Sequence, residues 1–121
     1  MIQPYWFSRE EVLALHGMML AQFGGMSGVR DEHLLESALA KPQHLLAYGS
    51  PGLARLAASY AAGVVKNHPF MDGNKRTGFM LGAGFLERNG CRFTGSELEP
   101  VIEGGTYHFS GSVADGPDAA V

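Results

Sequence analysis

The sequence predicts an all-α protein: a compact single-domain helical bundle built around one central buried helix, with room for a small flap or hairpin. Three observations carry this. Apolar residues recur at helical spacing over Val12–Phe23 and again over Leu53–Val64. The run Thr77–Leu86 holds no charge and no polar side chain beyond Thr77, so no side of it suits water and it should lie mid-domain. Glycine and proline punctuate between these runs, with no repeat or linker dividing the 121 residues.

Ser8 followed by Glu11 is a capping-box pattern, and Val12, His16, Met19, Leu20 and Phe23 then share a face until Gly24-Gly25 stops the helix. His16 reads as a packed core histidine rather than a ligand, and the methionines and aromatics from Met18 to Met26 as core rather than a cofactor box. Tyr5, Trp6 and Phe7 read as a lid on the core, with a partner-binding groove as the alternative. Asp31 is the expected N-cap of a second, shorter helix that buries Leu34, Leu35, Ala38 and Leu39 before Pro42. Arg30 and Asp31 could pair with each other or with the loop ahead, but a cap plus a solvated surface charge is the favoured reading.

Ala40–Ser50 contains Pro42 and Gly49 and reads as too short and irregular for a helix. The third helix is expected over Pro51–Asn67, with Ser50 as N-cap and Pro51 at N1, ending where Pro69 disfavours helical geometry at His68. A fourth should begin near Asn74 and end at Gly90. Its Gly78, Gly82 and Gly84 each cost up to about 1 kcal/mol relative to Ala, which predicts close approach of the first or third helix. Beyond Cys91, Ser96–Glu103 reads as a short helix broken by Pro100. Residues 104–121 read as a loosely ordered tail outside a domain of residues 1–103.

A formal charge of -3 argues against nucleic acid as a main partner. The single Cys91 permits no internal disulfide, which suits a reducing cytosol, and a buried structural thiol is its expected role. The N-terminus lacks the basic and apolar regions of a signal peptide, and Val12–Val29, uncharged but broken by glycines, is not a membrane span. A cytoplasmic protein is expected.

Polar chemistry is concentrated in His68–Thr77, reading His-Pro-Phe-Met-Asp-Gly-Asn-Lys-Arg-Thr, between two apolar helices. A helix beginning at Asn74 presents unpaired amides and the positive end of its dipole, so a phosphate can bind there on backbone alone. Gly73 would let an oxygen approach, and Lys75 and Arg76, unfavourable to the dipole in a first turn, make sense with an anion between them. Asp72 either caps this helix or holds a divalent cation bridging phosphate oxygens. His68 is the candidate to take a proton from an attacking hydroxyl. Singly, each has a bland reading as a helix-end histidine, a routine cap or a common turn; their joint occurrence within nine positions favours a site.

These same residues, His68, Phe70, Asp72, Gly73, Asn74, Lys75 and Arg76, resemble the signature of the Fic/Doc family, His-x-Phe-x-Asp/Glu-Gly-Asn-Gly/Lys-Arg. The run Val29-Arg30-Asp31 through Leu34–Leu39 to Pro42 is similar as well, so the resemblance covers roughly residues 5 to 95. Fic enzymes usually have Gly in place of Lys75 and a second Arg in place of Phe79, and both departures resemble the Doc branch. That branch implies transfer of the γ-phosphate of ATP, with Mg2+, to a protein hydroxyl, by resemblance a threonine of elongation factor Tu, which blocks translation.

In this reading His68 is the catalytic base, Asp72 holds the metal, and Gly73, Asn74, Lys75 and Arg76 bind phosphates through amides and side chains, while Phe70 anchors the loop in the core. The resemblance also implies that Ala40–Ser50 forms a flap aligning the target, with Leu45, Leu46 and Tyr48 on the substrate side and His44 as a further contact. No inhibitory Ser/Thr-x-x-x-Glu run followed by Gly or Asn is present, so control should come from a Phd-like antitoxin in a groove between the N- and C-terminal helices. The alternatives are a Fic-like protein adenylyltransferase, a non-catalytic anion-binding module and, weakest for an acidic chain, a ribonuclease.

Overall fold

Four helices form where the apolar periodicity and the caps agree: α1 (Arg9–Phe23), α2 (Glu32–Ala47), α3 (Leu53–Asn67) and α4 (Asn74–Arg88). The computed structural model describes residues 3–94, 100–103, 106–109 and 112–114, and side chains as far as residue 91. Two short antiparallel pairs follow the bundle. Strand β1 (Arg92–Thr94) pairs with β4 (Ser112–Ala114), and β2 (Pro100–Glu103) with β3 (Thr106–Phe109). Pro100–Glu103 is therefore a strand and not the end of the short helix expected over 96–103; residues 95–99 lie outside the described ones. The stretch expected as a loosely ordered tail contributes β3 and β4, and its other residues are likewise outside the description.

The capping box of α1 is complete. The Glu11 amide donates to Ser8 Oγ (3.1 Å) and the Ser8 amide to Glu11 Oε1 (2.8 Å). Arg88, in the last turn of α4, reaches the same carboxylate, donates to the Trp6 carbonyl (3.2 Å) and lies 4.3 Å over the Phe7 ring. That ties the N-terminal strap to the bundle. Trp6 stacks on Phe85 (5.7 Å) and Phe7 meets Tyr60 edge-on (6.1 Å), so both cover the core, whereas Tyr5 is exposed.

The Arg88 hydrogen bond, and after it the Ser8 amide, pull the Glu11 carboxyl from 4.5 down to about 2. A carboxyl whose pKa is depressed by folding stabilises the fold above its ordinary value and loses that contribution as pH falls through the folded value. The melting temperature of the parent protein is thus expected to fall more steeply between about pH 5 and pH 2 than that of Glu11→Gln, with the two curves converging at the acid end. Scanning calorimetry of both proteins across that range checks it.

Asp31 caps α2 as expected, accepting from the Leu34 amide (3.0 Å). The helix then continues through Pro42 to Ala47, so Ala40–Ser50 is not an irregular flap. Pro42 removes one helical donor, which leaves the Ala38 carbonyl without its usual partner. Packing offsets that loss: the Pro42 ring is fully buried, and Ala38 lies so close to Gly63 of α3 that a methyl group there would sit 3.1 Å from Ala38 Cβ. Leu45 and Leu46 turn toward the core rather than a substrate, Tyr48 is 91% exposed, and His44 is exposed on the last turn.

α3 begins two residues later than expected, with Gly52 as N-cap, and it is the most enclosed helix: every residue from Leu56 to Val64 is buried. Its run of alanines around Gly63 is small enough for α2, α4 and β3 to approach it together. The helix predicted to be central, α4, buries Thr77, Leu81, Phe85 and Leu86 but leaves Met80 38% exposed. At Gly78 an added Cβ would lie 3.0 Å from the Ala61 carbonyl, so the close helix expected there is α3. The core joins Val12, Leu35, Leu56, Tyr60, Phe70, Leu81 and Phe85. No helix among the described residues is long and apolar enough to cross a membrane.

Candidate active site

α3 ends at His68 because Pro69 follows, and His68 itself closes the helix in the left-handed region (φ 54°, ψ 51°). It is the one described non-glycine residue with positive φ. That conformation costs a non-glycine residue about 1 kcal/mol or more and persists only when neighbours enforce it. Here the His68 amide donates to the Val64 carbonyl (3.1 Å), and its carbonyl accepts from Arg30 Nε (2.7 Å). Arg30 Nη2 also donates to the Asn67 carbonyl (3.0 Å), so the guanidinium caps the negative end of α3. The imidazole of His68 is exposed.

The loop that follows is held from three sides. From the α1–α2 connection, Met71 N–H donates to the Gly28 carbonyl (3.0 Å), Arg30 N–H to the Pro69 carbonyl (2.6 Å), and Val29 bridges to Phe70. From the core side Phe70 is fully buried, with the His16 ring stacked on it at 3.8 Å and 10° between planes. From α4, Asn74 Oδ1 accepts from Phe70 N–H and Asn74 Nδ2 donates to the Phe70 carbonyl, both at 2.9 Å. The Asn74 side chain, 3% exposed, is thus spent inside the loop, and its backbone N–H is what it offers a ligand. The segment bonded to the backbone around His68 is 28–31, whereas 40–50 leads into the opposite, N-terminal end of α3.

Gly73, at φ 76°, is the N-cap of α4 and supplies no side chain to the helix end; Asp72 does not cap it. Asp72 instead accepts the Met26 amide on Oδ2 (2.8 Å), while its carbonyl accepts from buried His16 Nε2 (2.8 Å). The Asp72 carboxylate is exposed and has one oxygen uncommitted to Met26. Among the described residues no group of three or more His, Cys, Asp or Glu could hold a metal. Mg2+ needs no such cage, since one carboxylate together with substrate phosphates is its usual setting, and Asp72 beside an open helix N-terminus fits that donor set.

Lys75 and Arg76 are exposed in the first turn of α4, and neither meets a carboxylate among the described residues. Ion pairs elsewhere join Arg9 to Glu32 and Arg88 to Glu11. Arg76 lies 4.2 Å over the Phe23 ring. These two cations edge a mostly apolar groove of about 580 Å³ between α1 and α4, walled by Met19, Gln22, Phe23, Phe79 and Met80. Positive side chains, unpaired helix amides and an open groove therefore meet at the N-terminal end of α4, which the loop from His68 leads into.

The sequence profile described as the Fic/DOC family matches residues 6–86. The chain belongs to the Fic/DOC family. Among its relatives, a protein named "Protein kinase doc" from Escherichia phage P1 is 33% identical over 99 residues, covering 80% of this chain and 79% of that protein. A protein named "Toxin Doc" from Mycolicibacterium smegmatis is 39% identical over 90 residues, or 72% of this chain and 66% of the relative.

Two side chains of this Fic/DOC chain hold the loop without belonging to its motif: those of His16 and Arg30. Sequence reading placed His16 in the core without linking it to the loop, and it ranked the Arg30 link below a solvated charge. The one available signal for Arg30 was its position beside a capping Asp, which keeps it within reach of the end of α3. Arg30→Ala is expected to destabilise by about 1 kcal/mol, at the low end for charge-assisted hydrogen bonds because the side chain is exposed. It should also free the αL turn, which urea melts and the hydrogen exchange of the His68 amide would read. An unchanged exchange rate would count against the guanidinium as the clamp.

Proposed function

We propose that this protein is a Doc-like toxin that transfers the γ-phosphate of Mg2+-bound ATP to a protein hydroxyl, by resemblance a threonine of elongation factor Tu, and so blocks translation in the cytoplasm. The observation that carries the reading is the end of α4: two cations without carboxylate partners among the described residues and a glycine N-cap at a helix start, with an exposed imidazole on the same loop. The names of the two relatives, a protein kinase and a toxin, support the same class.

In this mechanism the triphosphate lies against the amides of Gly73, Asn74 and Lys75, with Lys75 and Arg76 compensating its charge. Asp72 would hold Mg2+, which when bound neutralises charge on the phosphate oxygens. His68 orients the acceptor hydroxyl and takes its proton as the oxygen attacks the γ-phosphorus. The bond to the β-phosphate oxygen breaks, and ADP leaves. Positioning and charge stabilisation do most of this work, since phosphoryl transfer asks little covalent help of a protein. The apolar groove between α1 and α4 is the place for the helix-forming tail of a Phd-like antitoxin.

Labelled ATP separates this reading from its relatives. Incubated with elongation factor Tu and Mg2+, the protein is expected to move label from the γ position and not from the α position. Label arriving from the α-phosphate would make it an adenylyltransferase, and no label from either would leave an anion-binding module.

A further inference from the structure

Resting on the anion site proposed above, we infer that His16 is a positioning residue for it, a strut that sets the direction of the Gly73 amide. His16 is 5% exposed, and its Nε2 stands 2.8 Å from the Asp72 carbonyl oxygen. A carbonyl can only accept, so Nε2 carries the proton and donates. The ring is fixed in the plane that aims this donor because it stacks on Phe70 at 3.8 Å, and Phe70 is in turn held by Asn74.

The consequence follows from peptide geometry. No cis peptide bond occurs among the described residues, and in a trans peptide the C=O and the following N–H point in opposite directions. With the Asp72 carbonyl drawn inward to a buried imidazole, the Gly73 N–H is turned outward, to the open face of the loop. Gly73 is the N-cap of α4 at φ 76°, a residue whose backbone can rotate where others are restrained, so this peptide is the one most in need of a lock. Its other restraint nearby acts on the Asp72 side chain, through Met26, and leaves the peptide plane free to rotate. His16 therefore acts on the anion site without touching it, and Asp72 and the first turn of α4 gain a preset orientation rather than one the ligand must impose.

The test uses the full chain and inorganic tripolyphosphate with Mg2+, so that anion binding is read apart from transfer. His16→Phe keeps the aromatic face on Phe70 and removes the donor; His16→Gln keeps an N–H donor at similar reach and removes the ring. His16→Phe is expected to fold, to bind tripolyphosphate at least about tenfold more weakly, and in the γ-label assay to lose kcat with KM for the protein target unchanged. His16→Gln should recover most of the binding. Parental affinity in His16→Phe, or equal weakness in both folded variants, would overturn the strut and leave only a packing role. Should either variant fail to fold, amide NMR of the parent decides: the Gly73 N–H resonance is expected to shift on adding tripolyphosphate, and a resonance that stays in place overturns the inference. A parent that binds tripolyphosphate and moves no label defeats the kinase reading while leaving this comparison intact.

Discussion

His68→Ala is expected to lower the rate of γ-phosphate transfer by about 10² to 10⁴ while leaving the fold in place. The imidazole is exposed, so its removal opens no cavity, although alanine is less at home than histidine in the left-handed turn. His68→Asn sharpens the experiment, because asparagine tolerates that backbone region while offering no base. Label transfer, melting temperature and growth inhibition measured on all three proteins form one set. A His68→Ala protein that arrests growth as the parent does would exclude catalysis through this side chain.

The largest effect on stability is expected from Phe70→Ala, at about 3–5 kcal/mol. Phe70 has no exposed surface, sits in the main core cluster and carries the stacked ring of His16. Its backbone is also the piece that Asn74 grips with both ends of its amide. Removing the side chain leaves a hole below the loop that the neighbouring helices, already in close contact at Gly78, cannot collapse to fill. For a domain whose total stability is of order 5–15 kcal/mol, that loss is expected to appear as a large fall in the urea midpoint. Phe70→Leu should lose less than half as much. Activity of Phe70→Ala should drop further than its folded fraction explains, because the loop loses its floor.

Local features were the legible ones. The Ser8 and Asp31 caps, the halt before Pro69 and the start of α4 at Asn74 are set by residues three or four positions apart, and a sequence displays such pairs directly. What stayed hidden depends on contacts distant along the chain. Pro42 signals a helix end in isolation, and its burial, with Ala38 packed on Gly63 of α3, is a tertiary gain that favours continuation of α2 to Ala47. The ranking of α3 over α4 as the central helix rests on how many neighbours a row of alanines admits, which the absence of charge in Thr77–Leu86 does not reveal. The Asn74 side chain was expected to face phosphate because the spacing places it at a helix start; the bond to Phe70 four residues earlier turns it inward. The clamps from His16 and Arg30 span 56 and 38 residues and leave no local pattern.

The bare backbone contact at Gly78 has a consequence for the proposed reaction. It welds the helix that ends in His68 to the helix that starts at the proposed phosphate cradle, like the two jaws of a caliper fixed at one gap. A co-substrate would then be measured by that gap. Chain length of the polyphosphate, more than the identity of its base, is the property such an instrument would gauge.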